Sequence, residues 1–128
     1  MRALAVILAL TALAGCREEA LELPSGLSVT LSGTVSEQQP DGEHWLILQV
    51  LAPSLAGQRV TAPEMAEDTG VICDTWGLAA AAEAAQTPDQ IVVQVMSERV
   101  ERGQPAPGVT QVFAGYRLQD GSCIWEDF

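Results

Sequence analysis

Apolar residues alternate with serines and threonines over residues 27–36, and this is the clearest pattern in the chain. A period of two residues predicts a half-buried β-strand with the hydroxyl side chains on its outer face. A turn containing Asp41-Gly42 follows, and residues 45–51 are then apolar except for Gln49. Such a run is typical of a strand that is covered on both faces. The two segments predict a β-hairpin.

Residues 61–85 have the spacing of a helix. Thr61 fits an N-cap, and Glu64 follows three residues later, as in a capping box. The apolar positions that recur at helical spacing are Met65, Ile72, Trp76 and Ala79 or Ala80. Gly70 and Gly77 weaken the helix, so the pattern is compatible with a break near either glycine.

Three more strands are predicted after the helix. They cover residues 91–100, residues 109–118 and, beyond the tight turn Asp120-Gly121, residues 123–125. The element order is then β-β-α-β-β-β. This order predicts an α+β fold in which an antiparallel sheet of about five strands packs on one face against one helical segment.

The first sixteen residues have the composition of a secretory signal. Arg2 supplies a positive charge, residues 3–12 are apolar except for Thr11, and small residues precede Cys16. The run is shorter than the roughly 20 apolar residues that span a membrane, and charged residues follow it directly at 17–19. We therefore expect cleavage before Cys16. The alternative is an uncleaved anchor or a buried N-terminal helix.

Leu13-Ala14-Gly15-Cys16 resembles the cleavage and lipidation box of bacterial lipoproteins. The resemblance implies that residues 1–15 are a signal peptide. It also implies that Cys16 carries a diacylglycerol and an N-acyl chain, which is enough for stable anchoring in a membrane.

The lipoprotein resemblance also divides the rest of the chain. Residues 16–25 are polar and acidic and are predicted to be a lipidated tether, and residues 26–128 a single α+β domain facing the periplasm. The residue after the lipidated cysteine is Arg17 rather than the aspartate that retains many lipoproteins in the inner membrane. By resemblance, the outer membrane is favoured over the inner membrane.

The chain is strongly acidic, with 17 Asp and Glu against 6 basic residues and a formal net charge of −11. Removal of residues 1–15 takes away Arg2 and makes the charge one unit more negative. Such a surface repels phosphate backbones, so we do not expect a nucleic acid partner. It attracts basic partners, ligands or cations at long range. A surface that merely keeps the protein soluble is the simpler interpretation.

Two cysteines remain once Cys16 carries lipid. In an exported protein, an even pair predicts a disulfide, here between Cys73 and Cys123. The alternative is a reactive thiol at Cys73 that His44, the single histidine of the chain, would activate. The sequence contains no Cys-x-x-Cys pair, so it gives no support for redox catalysis.

Motifs for phosphate binding, serine hydrolysis and zinc binding are absent from the sequence. We therefore predict no catalytic residues, no metal site and no cofactor apart from the lipid. An acidic cluster on the predicted helix comprises Glu64, Glu67, Asp68 and Asp74. It could supply oxygen ligands for Ca²⁺, but it fits no EF-hand spacing, and a solvated helix face is the simpler interpretation.

Arg99, Arg102 and Arg117 lie near the ends of adjacent predicted strands and form the least expected feature of so acidic a chain. They could bind an anionic group or a carboxylate of a partner. Salt bridges to Glu98 and Glu101 are the simpler explanation. The large aromatic residues are predicted to pack in the core rather than to form a binding platform: Trp45, Trp76, Tyr116 and Trp125.

The position of Cys73, the strand with Tyr116 and the ending from Cys123 to Glu126 resemble a small uncharacterised lipoprotein family of alphaproteobacteria. The resemblance brings no catalytic residues. We expect a membrane-tethered envelope lipoprotein that acts as a non-enzymatic binding or assembly module, with a possible protein partner in the envelope. The alternatives are an inhibitor of a basic exported hydrolase such as lysozyme, and a small hydrolase or thiol enzyme.

Overall fold

The computed structural model describes residues 19–126. Two predictions fall on residues 1–18, namely the signal peptide over residues 1–15 and the lipidated Cys16. Both lie outside the described residues.

The described chain forms six strands: β1 (Ala20–Glu22), β2 (Ser28–Gln38), β3 (His44–Leu51), β4 (Gln90–Met96), β5 (Gln111–Gln119) and β6 (Ser122–Glu126). A short 3-10 helix, Pro53–Leu55, follows β3. One helical segment then leads to β4 and consists of α1 (Ala66–Ile72), a π-helical turn (Cys73–Gly77) and α2 (Leu78–Glu83). The segment begins later than the N-cap predicted at Thr61, because residues 62–65 form turns instead.

The six strands form one mixed sheet in which each strand lies beside the next one in the chain. β3 and β4 are parallel, the other pairings are antiparallel, and the sheet curls into a half-barrel. The predicted antiparallel sheet of about five strands in the order β-β-α-β-β-β is therefore wrong. The observed order is β-β-β-α-β-β-β. β3 and β4 are parallel because the helical segment carries the chain back across the sheet to the end at which β3 begins.

The unpredicted strand β1 lies within residues 16–25, the predicted tether. It pairs antiparallel with the first residues of β2, and Leu23 after it is buried. The turn into β2 contains Gly26 at φ +89°, a left-handed conformation that favours glycine. A strand of three residues is too short to show a period of two. The hydrophobic pattern therefore gives no sign of it.

The main core lies between the helical segment and one face of the sheet. The sheet contributes alternate residues of its central strands, including Ile91, Val93, Val95, Val112, Ala114 and Tyr116. Ile72, Cys73 and Trp76 pack against them from the helical segment. The Tyr116 hydroxyl oxygen also lies 2.6 Å from that of Thr69, which ties β5 to α1.

A disulfide joins Cys73 in the π-helical turn to Cys123 in β6, so this prediction is confirmed. The two cysteines are 50 residues apart in the chain. In the chain-entropy model, closing a loop of that size stabilises the fold by about 4 kcal/mol.

The π-helical turn interrupts the α-helix near one of the two glycines that the sequence indicated as weak points. A Cβ atom at Gly77 would lie 3.2 Å from the Cys73 sulfur and 3.2 Å from the Ile91 side chain. The absence of a side chain at Gly77 therefore permits the close approach of the helical segment to β4.

The loop between β4 and β5, residues 97–110, covers part of the opposite face of the sheet. Gln49 Nε2 donates to the Val100 carbonyl oxygen at 3.4 Å, and Gln94 Nε2 donates to Gln111 Oε1 at 3.0 Å. Gln49 and Gln94 are buried, and these bonds satisfy their amides. β3 is therefore covered on both faces, as the apolar run over residues 45–51 predicted.

Candidate functional site

The candidate site is a groove of about 500 Å³ between the second half of the helical segment and β2, which we call the Trp76 groove. Its lining includes Glu19, Leu31, Thr34, Ser36, Leu46, Trp76, Ala79, Ala80 and Glu83. A depression of similar volume between residues 57–60 and 108–111 is more open and is lined by loop residues. The Trp76 groove is the better candidate because it combines apolar, hydroxyl and carboxylate groups on strands and a helix.

Small side chains on α2 leave the Trp76 groove open. Ala79 and Ala80 face β2 where larger residues would fill the space between helix and sheet. Leu31, Leu46 and Trp76 provide the apolar part of the lining. The alanine run that favours a helix in the sequence is therefore also what leaves the concave surface.

Two exposed carboxylates, those of Glu19 and Glu83, give the groove its charge, and its lining contains no basic residue. The indole nitrogen of Trp76 donates to Glu19 Oε2 at 2.9 Å. This bond fixes the residue before β1 against the helical segment. The exposed hydroxyls of Thr34 and Ser36 add neutral hydrogen-bonding groups on β2. The groove is suited to a ligand that is apolar on one side and positively charged on another.

The structure does not bring the three predicted anion-binding arginines together as a free basic cluster. Arg102 forms a two-point ion pair with Glu37, with nitrogen–oxygen distances of 2.9 Å and 3.0 Å. The hydrogen bonds from Arg102 and then Gln39 lower the pKa of Glu37 from 4.5 to about 2. The sequence allowed Arg102 either to bind an anion or to form a salt bridge, and it forms a salt bridge. Its partner is Glu37 on β2, however, and not Glu98 or Glu101.

Arg117 is occupied by carboxylates in the same way. Its guanidinium contacts Glu126 at 2.7 Å and Glu43 at 2.9 Å, which raises the pKa of Arg117. Arg99 is exposed and forms no ion pair with any residue between 19 and 126. Of the three arginines, Arg99 is therefore the one that lacks a carboxylate partner within residues 19–126, as binding of an external anion requires.

The acidic cluster on the helix has a structural component. Asp68 is buried, and its carboxylate accepts hydrogen bonds from the backbone nitrogen and the hydroxyl of Ser25. Glu64, Glu67 and Asp74 are exposed. Among the described residues, no group of acidic, histidine or cysteine side chains has the geometry of a metal site. Asp68 therefore holds the β1–β2 turn against α1.

The alternative to the disulfide, a Cys73 thiol activated by His44, does not supply a nucleophile. The Cys73 sulfur is bonded to Cys123, and the residue is buried. His44 lies at the start of β3, where its backbone nitrogen donates to the carboxylate of Asp89. The thiol-enzyme alternative thereby loses the residue on which it was based.

The sequence interpretation missed the Trp76 groove because it assigned Trp76 to the core alone. The indole is indeed buried, yet it also lines the groove. The available signal was a helix face of alanines. The period of two predicted Thr34 and Ser36 on the outer face of β2, but a register shift between Leu31 and Gly33 turns them into the groove. No such pattern predicts the contact between Trp76 and Glu19, because it depends on β1.

No helix within residues 19–126 is both long enough and apolar enough to cross a bilayer. Residues 6–128 match the model of a family described as "Family of unknown function (DUF6497)", and the chain belongs to that family. No curated protein matches the chain, and no solved structure does.

Proposed function

We propose that this member of the DUF6497 family is a membrane-tethered envelope lipoprotein, a non-enzymatic module whose Trp76 groove binds a basic, partly apolar segment of an envelope protein. The observation that carries the proposal is the lining of the groove, in which apolar side chains lie beside Glu19 and Glu83 without a compensating cation. A lysine or arginine side chain matches this lining, because its apolar stem packs while its charged end reaches a carboxylate.

The charge of the whole molecule supports the same class of partner. A net charge of −11 attracts basic segments at long range and speeds their association at low salt. Arg99 is exposed and positively charged, so it would repel a basic segment. It therefore does not provide another binding site for such a segment.

Export and anchoring rest on two supports. The sequence before Cys16 resembles a lipoprotein signal, and the Cys73–Cys123 disulfide is of the kind that persists in oxidising compartments. We place the domain on the periplasmic side of the envelope, with the outer membrane favoured. Intact-mass measurement of native protein tests this: we expect residues 1–15 removed and acyl chains added at Cys16. An untrimmed, unmodified chain would contradict it.

Binding in the groove can be tested with a short peptide of alternating lysine and leucine. The peptide is titrated calorimetrically against the chain from Cys16 onward without lipid, which we call the soluble domain. We expect binding that weakens at high salt and is absent when glutamate replaces the lysines. Ala79→Phe should block the groove without altering charge. Ala82→Phe is the matched control, because Ala82 is exposed on the same helix but does not line the groove.

The charge requirement needs its own pair of variants. Glu83→Gln should weaken peptide binding several-fold, since an exposed ion pair contributes up to about 1 kcal/mol. Glu98→Gln removes the same charge from an exposed position outside the groove and should have a much smaller effect. Equal effects of the two variants would show that only overall charge matters and would reject the groove as the binding site.

The acidity also favours the second candidate, inhibition of a basic exported hydrolase such as lysozyme. The domain is β-rich and carries a disulfide, which suits a small inhibitor acting in an oxidising compartment. Turnover of lysozyme at low salt with excess domain separates the candidates. Inhibition that Ala79→Phe abolishes would make the hydrolase the partner of the groove, whereas unchanged turnover would eliminate this candidate.

A further inference from the structure

The N-terminal end of the described chain is held beside the Trp76 groove. Glu19, the first described residue, lines the groove and accepts the hydrogen bond of Trp76. The next residues form β1, whose Ala20 pairs with Thr30 of β2. Followed backwards, β1 therefore runs along β2 in the direction of Thr34 and Ser36. Glu19, at this end of the described chain, therefore lies at the groove and not at the β1–β2 turn.

The covalent distance from Cys16 to the groove is short. Only residues 17 and 18 separate Cys16 from Glu19. Three peptide units span at most about 11 Å, because an extended chain advances no more than about 3.6 Å per residue. If Cys16 carries the lipid, as proposed above, Glu19 stays within that distance of the membrane surface.

A gap of about 11 Å restricts what can enter it. It corresponds to the diameter of a single α-helix with its side chains, roughly 10–12 Å. At the Glu19 end of the groove, a folded domain does not fit between the chain and the bilayer, whereas an extended segment or one helix lying on the membrane does. The available occupants are such a segment and the phospholipid headgroups themselves.

Charge distinguishes these two occupants. Every phospholipid headgroup carries a phosphate, so even a headgroup with an ammonium group has no net positive charge to offer the carboxylates of Glu19 and Glu83. A basic segment brings positive charge without a phosphate and satisfies both carboxylates. It also has apolar side chains to pack against Leu31 and Trp76.

We infer that the partner of the Trp76 groove is the basic segment next to the membrane anchor of another envelope protein. The inference rests on the proposed function, since it requires both the lipid at Cys16 and a basic ligand. The anchored domain holds its groove toward the bilayer and captures segments that lie along the membrane surface. Its opposite end, with the β1–β2 turn at Gly26 and the 3-10 helix, faces away from the membrane.

The test uses the chain from Cys16 onward, coupled through the Cys16 thiol to maleimide lipids in phosphatidylcholine vesicles. The lysine–leucine peptide is anchored in the same vesicles by an acyl chain, either directly or through a long Gly/Ser spacer. We expect the directly anchored peptide to bind more tightly than the spaced one, and Ala79→Phe to abolish the binding of both. Inserting a Gly/Ser spacer between Glu18 and Glu19 should remove the preference for direct anchoring.

Three results would overturn the inference in distinguishable ways. Binding of the spaced peptide alone would mean that the groove faces away from the bilayer, although the proposed function would stand. If the groove binds to vesicles that lack peptide, and added peptide does not compete with this binding, the headgroups are the occupant. Failure of the free peptide to bind the soluble domain would remove the proposed function and this inference together.

Discussion

The indole of Trp76 belongs to both the core and the groove. Its ring packs among the core residues, and its nitrogen donates to Glu19 at 2.9 Å. One side chain thus connects the helical segment, the groove and the residue that precedes β1.

Trp76→Phe keeps an aromatic ring but removes the donor. We expect faster amide hydrogen exchange at Leu21 and a loss of about 1.5–3 kcal/mol in the free energy of unfolding, the size of one hydrogen bond to a charged group. Trp45→Phe is the matched control, because it removes an indole bond to Glu43 at 3.1 Å, far from β1. Unchanged exchange in β1 would show that Glu19 does not depend on Trp76.

Glu37 provides a pH-dependent contribution to stability. Its pKa in the folded protein, about 2, lies below the ordinary value of 4.5, because Arg102 donates to the carboxylate. A lowered folded-state pKa stabilises the fold fully above about pH 4.5, and the contribution is lost as the pH falls toward 2.

Glu37→Gln should therefore lower the free energy of unfolding near neutral pH by at most about 1 kcal/mol, since both partners are about one-third exposed. The difference from the wild type should shrink toward pH 2 in urea unfolding curves. Glu98→Gln is the matched control, because it removes an exposed charge that forms no ion pair within residues 19–126. A constant difference across this range would mean that the ion pair does not form in solution.

At the residue scale, the sequence was a better guide to the important side chains than to the partners of those side chains. The pairing of Cys73 with Cys123 was predicted from parity and from the expected exported compartment, and neither argument needs geometry. The partner of Arg102 did not follow, because Glu37 is distant in the chain and the strand pairing places it. Near neighbours such as Glu98 were the only partners that the sequence could suggest.

At the scale of elements, two glycines in the helical segment differ in their surroundings. A Cβ at Gly70 would lie 3.7 Å from the Tyr116 hydroxyl, an ordinary contact. A Cβ at Gly77 would lie 3.2 Å from both the Cys73 sulfur and the Ile91 side chain, and neither can easily move.

The two alanine variants should therefore change stability in opposite directions. Gly70→Ala should stabilise the protein by up to about 1 kcal/mol, because alanine is the better helix former. Gly77→Ala should destabilise it by about 1–3 kcal/mol through overpacking. Urea midpoints of the two variants measure this, and a stabilised Gly77→Ala would show that the helix can shift away from β4.

The longer elements were predictable because their hydrophobic patterns are long enough to read. β2, β3, the helical segment and the last three strands all lie close to where the pattern placed them. β1 was not predictable, since it has three residues and depends on β2 for its existence. The parallel pairing of β3 and β4 was overlooked, although two apolar strands joined by a helix favour it.

At the scale of the whole molecule, the disulfide links the helical segment to the last strand of the sheet. The variant with both Cys73→Ser and Cys123→Ser should unfold more easily by about 2–4 kcal/mol. Addition of a reductant should bring the wild type to the same urea midpoint and leave the variant unchanged. If the reductant leaves the urea midpoint of the wild type unchanged, the disulfide does not form.

The groove illustrates why function was harder to predict than fold. Its lining combines Glu19 from before β1, Thr34 from β2 and Glu83 from α2, which are far apart in the chain. The sequence supplied the acidity and the signal resemblance. It could not supply the juxtaposition, because that depends on the strand it did not reveal.

The short pairing of β1 also determines how the domain would respond to mechanical load. A pull on Cys16 would reach three paired residues and one indole bond first, while the far edge is clamped by a covalent bridge. β1 would peel off before the remainder yields and would release residues 19–22 as slack, roughly 14 Å when stretched, while Asp68 still holds the turn at Ser25. If Cys16 is anchored as proposed, the strand would then serve as an extensible leash that lets the domain swing away from the bilayer without unfolding.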